Sequence, residues 1–196
     1  MICPNKLWRL RVEARMTPLL RTLAISLTLT ALSTAQPCRE VVRDASGRVI
    51  QTIYHRKSSG GTVRSVIRDA SGRTIGTATS QTSPGGHTRT TYRDASGRMT
   101  GAATTNGSSS GSSRTTYRDA SGQTTGSATS RTNGTSGSRT NFRDASNRST
   151  GSQTTNGSSG FVTGTRRDAS GRVTSSSTGS GKCPQTRRSV PLAMRD

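Results

Sequence analysis

An all-β fold, a repeat array of about six β-hairpins forming a meander, a spiral sheet or a barrel-like closure, is what this sequence predicts. Three observations predict it. The hexapeptide Arg-Asp-Ala-Ser-Gly-Arg recurs at near-constant spacing, Thr-rich runs enter and leave each copy, and a large apolar residue stands just before most copies. A fixed period of this length marks a stacked repeat architecture, and β-branched or aromatic residues suit a pleated surface. A β-solenoid and a largely disordered chain stay open. Ser (31) and Thr (33) dominate the 196 residues, and a conventional core is hard to build from them.

The N-terminus predicts a signal helix over residues 1–35. Arg15 and Arg21 are followed by a short apolar run, Leu23 to Leu32, and small residues lead to cleavage between Ala35 and Gln36. That run is about half the ~20 residues a membrane-spanning helix needs. Met16 opens a more conventional signal than Met1, and no later stretch is apolar enough to span a bilayer. The expected location is secreted or periplasmic, in a bacterial cell envelope.

The repeat domain covers residues 36–181. Its copies start at Arg43, Arg68, Arg93, Arg118, Arg143 and Arg167, at intervals of 25, 25, 25, 25 and 24 residues. Within each copy the Asp can accept backbone N–H groups, Ala-Ser suits the centre of a type I turn, and Gly takes the left-handed position that makes a bulge. The predicted turn residues are Asp44 and Gly47, Asp69 and Gly72, Asp94 and Gly97, Asp119 and Gly122, Asp144 and Asn147, and Asp168 and Gly171. Asn147 supports the turn, because Asn tolerates positive φ best after glycine. Val42, Ile67, Tyr92, Tyr117 and Phe142 form an apolar column before the motif, and Arg166 takes that place in the sixth copy. The Gly/Ser/Asn stretches that return the chain between copies read either as ordered turns or as flexible linkers.

Cys38 and Cys183 bracket the array. In an oxidising compartment they are expected to pair. A bridge needs Cα atoms about 4.4–6.8 Å apart, so an intramolecular bond predicts a closed or strongly curved sheet. Local or intermolecular partners are the alternative. Residues 182–196 form a basic tail without repeats, expected to be disordered.

The spacing also carries a resemblance. Gly111 precedes Asp119 by 8 residues and Asp119 precedes Gly122 by 3, and the first spacing recurs for Gly61/Asp69, Gly86/Asp94 and Gly160/Asp168. In this the chain resembles the YD repeat of RHS-type proteins over roughly residues 39–178. Arg stands where the family has Tyr before Asp, the large apolar residue expected after Gly-Arg is often polar (Thr74, Thr124, Ser149), and the family period is shorter. The resemblance implies hairpin geometry more than any activity. As a role it implies a component of an RHS-like shell or toxin-associated system.

The formal net charge of the full chain is +20. From Gln36 onward 24 basic residues stand against 8 acidic ones, a net of +16, and six of the acids are the turn aspartates. Arg39, Arg64, Arg89, Arg114 and Arg139 form a row with no acidic row beside it. Such a row either lies along the sheet surface or faces a polyanion. Arg64, Arg89, Arg114 and Arg139 are the candidate polyanion contacts. The expected partner is an acidic glycan, lipopolysaccharide or another polyanion. Few aromatics are present to stack on bases, which argues against nucleic acid. No phosphate loop, zinc spacing or nucleophile elbow occurs. His55 and His87 read as solvated loop residues, and no cofactor, metal or catalytic group is expected. The predicted function is that of an exported, non-enzymatic binding or structural element. A weaker alternative is ice binding by a ladder of Thr90, Thr115 and Thr140.

Overall fold

The structure, a computed structural model, describes residues 38–180 except 108, 109, 135, 136, 159 and 160. The signal segment with Ala35 and Gln36, Cys183 and the basic tail lie outside the described residues. Twelve strands form: β1 (Cys38–Asp44), β2 (Val49–Lys57), β3 (Val63–Asp69), β4 (Thr74–Thr82), β5 (Thr88–Asp94), β6 (Met99–Gly107), β7 (Ser112–Asp119), β8 (Thr124–Asn133), β9 (Gly137–Asp144), β10 (Ser149–Ser158), β11 (Phe161–Arg167) and β12 (Val173–Ser180). Each is antiparallel to the next, and β12 pairs with β1 to close a barrel. Neither a solenoid nor an open ladder forms.

The motif turns take the predicted conformation. The amide of Gly47 donates to the Asp44 carbonyl at 3.1 Å, and the amide of Asp44 donates to the Arg48 carbonyl at 2.9 Å. Gly47 has φ +84° and Asn147, its counterpart in the fifth copy, +65°. Two of the returning connections are ordered turns of the same kind. Gly61 donates to Ser58 and Gly86 to Ser83, with φ of +79° and +77°.

A second bulge follows every motif turn. Val42 pairs with Gln51 but Arg43 with Val49, so Ile50 is an extra residue on β2. Ile75, Thr100, Thr125, Thr150 and Thr174 are extra in the later copies. The other junctions between described strands run without a shift. Bulges bend a strand and increase its twist, which here helps the sheet curl shut. The residue after the bulge is Gly76, Gly101, Gly126 or Gly151 in the middle copies. A Cβ on Gly76 would sit 2.7 Å from the Arg93 carbonyl oxygen, and Gly126 and Gly151 approach the Arg143 and Arg167 carbonyls closer still.

Barrels of about 8 strands are filled by side chains, whereas 16–18 strands leave a channel. Twelve strands lie between, and this interior is filled in two layers of cross-strand pairs. One layer sets small against large: Ala78 faces Tyr92, Ala103 faces Tyr117 and Ala128 faces Phe142. These six residues are at most 8 % exposed and form one cluster, and Val42, Ile53 and Ile67 form another. The layer two residues away pairs hydroxyls: Ser80 with Thr90 at 2.8 Å, Thr105 with Thr115 at 2.6 Å, and Ser130 with Thr140 at 2.7 Å. Pairing in this way meets the hydrogen-bonding needs of polar groups taken from water. In the first copy the pair is His55 and Ser65, with Nδ1 2.8 Å from Oγ.

Two expectations need correction. His55 is no solvated loop residue: it lies on β2, 5 % exposed, inside the barrel. Thr90 and Thr115 are 4 % and 5 % exposed and, like Thr140, bond to inner hydroxyls. An ice-binding ladder needs these threonines in contact with solvent, and they face the barrel interior instead. His87 does lie in an exposed connection, where Nδ1 meets Asn106 Oδ1 at 2.8 Å.

Candidate polyanion-binding surface

The arginines divide into two sets with different surroundings. The first belongs to the motif turns. Arg43, Arg93, Arg118, Arg143 and Arg167 each donate through Nη1 to the carbonyl four residues on, at 2.7–2.9 Å. Arg68 instead places its guanidinium 5.4 Å from the centre of the Tyr54 ring. These arginines brace the turns.

The turn aspartates are equally occupied. Asp44, Asp69, Asp94, Asp119 and Asp168 accept the hydroxyl of the Ser two residues on, at 2.6–2.7 Å. All six accept the amide four residues on, at 2.8–2.9 Å. The Ser hydroxyl first, with the backbone amides, holds the carboxyls of those five below the ordinary value of 3.8, against an opposing effect of desolvation that at Asp69, Asp94 and Asp119 outranks each single amide. Hydrogen bonds to the charged form have this effect. Arg73 and Arg98 add loose ion pairs to Asp69 and Asp94 at 3.7 and 3.8 Å.

The second set is the row named from sequence. Arg64, Arg89, Arg114 and Arg139 stand at equivalent positions on β3, β5, β7 and β9, all exposed. Each lies three residues before the inward Ile67, Tyr92, Tyr117 or Phe142, and alternation along a strand turns it outward. Alternate strands set neighbours in the row roughly 10 Å apart. Among the described residues none of the four side chains makes a hydrogen bond or an ion pair. The row also gains charge that sequence inspection did not assign to it. Arg56 lies directly opposite Arg64, and Arg131 opposite Arg139. Their signal was available, since pairing across the returning turn sets the register. Glu40 is turned inward, lining an interior cavity, and the aspartates sit at the motif rim, so no carboxylate interrupts the described outer row.

At Arg89 the row borders a groove of about 490 Å³ between two returning connections, lined also by His87, Gln81, Thr62 and Thr104. The arrangement offers several fixed cations beside hydroxyls and amides. That suits an extended anionic polymer rather than a single small ligand. Among the described residues no group of three or more His, Cys, Asp or Glu stands close enough to hold a metal ion. Compared with family models, with curated proteins and with solved structures, the chain matches none of them.

Proposed function

We propose that this protein is an exported, non-enzymatic β-barrel that binds acidic polymers of the cell envelope, acidic glycans or lipopolysaccharide, along the row of Arg64, Arg89, Arg114 and Arg139. The observation that carries this reading is the like-charged pairing of Arg56 with Arg64 and Arg131 with Arg139 on an outer face that, among the described residues, sets no carboxylate beside them. Like charges directly opposed across strands destabilise a sheet, so a bound polyanion would relieve a real cost. The outward strand positions are mostly Thr, Ser and Arg, the reverse of the apolar band a transmembrane barrel turns to lipid. Export and a Cys38–Cys183 bond belong to the same reading. Arg39 pairs with Ser180, so Cys183 follows only three residues after the partner of the residue next to Cys38.

The test is binding of the full chain to an acidic polysaccharide such as polygalacturonate, with a neutral glycan as control. Binding should weaken with added salt and be lost when the four arginines are changed together to Glu. Unchanged, salt-insensitive binding by that variant would overturn the reading. Preferential binding of single-stranded nucleic acid would do the same.

A further inference from the structure

Inside the barrel the repeat pattern breaks at one place, where the two ends of the array meet. Three junctions set Ala against an aromatic residue and one sets Ile53 against Ile67, whereas between β10 and β11 the corresponding pair is Gln153 opposite Arg166. The hydroxyl layer carries Gly164 opposite Thr155 there, and Gly179 opposite Glu40 at the closing junction. These departures come from the first and the last two copies and become neighbours because β12 pairs with β1. A Cβ on Gly164 would sit 2.7 Å from Ser177 Oγ and 3.2 Å from Gln153 Nε2, so the missing side chain is required. A cavity of about 20 Å³ remains, walled in part by Glu40, Gln51, Gln153, Gly164, Arg166 and Ser177.

Arg166 is the cation of that wall, and Glu40 is its carboxylate. The Nη1 of Arg166 is fully buried without a hydrogen-bond partner. Its guanidinium lies 4.7 Å from the centre of the Phe142 ring. Among the described residues no carboxylate comes within ion-pairing distance of it. Glu40 shares the cavity wall, but Oε2 lies 3.5 Å from His55 Nε2. Burial pulls the Arg166 guanidinium below its ordinary pKa. Charges taken from water in native proteins are paired or neutralised; Arg166 is partly buried, and beside it lie the Phe142 ring and Tyr117, which favours its charged form.

We propose that the cavity binds a small monatomic anion of the halide class, with Arg166 as its cation. Size decides the class. About 10–15 Å³ of such space holds one water, so about 20 Å³ admits one atom-sized guest. Phosphate, sulfate and sugar carboxylates are too large. The site is interior and does not depend on the outer arginine row.

Two measurements on the full chain test this. Crystals soaked in bromide should show an anomalous peak in the cavity beside Arg166. In solution, replacing gluconate by chloride at fixed ionic strength should raise Tm by roughly 3–5 °C for each tenfold excess over Kd. Arg166→Tyr, which puts in the residue found at Tyr117, should abolish that dependence. Arg166→Gln carries the same test if the tyrosine variant fails to fold. A water in place of bromide, or a chloride effect retained in the variant, would overturn the proposal. Because the outer row is intact in both variants, their glycan binding distinguishes failure here from failure of the surface reading.

Discussion

Asn147 is the single non-glycine residue at positive φ among the described residues, at +65°, where five other copies place glycine at +84° to +87°. The left-handed region costs an ordinary L-residue about 1–2 kcal/mol, and Asn less because its side chain bonds locally. No atom lies within 4 Å of a Cβ built on Gly122, so substitution there probes the backbone alone. Asn147→Gly is expected to stabilise the chain by up to about 1 kcal/mol, and Gly122→Ala to cost about 1–2 kcal/mol, read from urea unfolding curves. If both prove neutral, these turns do not demand a left-handed residue. The turn was legible in the sequence because its chemistry is local. One aspartate, one serine and one glycine within four residues satisfy each other, whatever the rest of the chain does.

At the scale of the strand, less was legible, and parity explains which part. Thr90 is two residues from Tyr92, Thr115 two from Tyr117 and Thr140 two from Phe142. Period-two alternation puts each threonine on the face of its aromatic neighbour, which is the interior. Repeat spacing alone suggested a Thr ladder and assigned it to neither face. The bulges at Ile50, Ile75, Thr100, Thr125, Thr150 and Thr174 were harder to see. Their sign is the glycine at 76, 101, 126 and 151, which at 76, 126 and 151 is forced by an approaching carbonyl of a strand that has not yet been placed. The inner hydroxyl pairs can be tested as units. Thr105→Val should cost about 1–3 kcal/mol, because buried Thr115 loses its partner. The double variant with Thr115→Val should recover most of that loss, since two apolar groups of the same shape replace a satisfied pair. Additive losses in the cycle would mean that each hydroxyl relies on other groups.

Over the whole molecule, closure is the property that no single repeat encodes. Each copy specifies a hairpin and its inward pairs, and the sixth copy meets the first only because the bulged sheet has curled far enough. The sequence left a meander, a spiral and a barrel open because twist accumulates from small local terms, and its one long-range clue was the pair of cysteines at the ends of the array. The strand register strengthens that clue. With Arg39 opposite Ser180, a bond from Cys38 to Cys183 needs no opening of the sheet. Cys38 itself is 1 % exposed. In the chain-entropy account a loop of about 100 residues gains roughly 4.7 kcal/mol from such a bond, and this loop is longer. On the proposed reading, export with a Cys38–Cys183 bond, the intact mass is expected to begin at Gln36 and to rise by two hydrogen atoms on reduction. The reduced chain should unfold at lower urea, by roughly 4–5 kcal/mol at most, while keeping its strand content. A mass unchanged by reduction would assign closure to β1–β12 pairing alone. A dimer that reduction splits would instead assign the cysteines to contacts between chains.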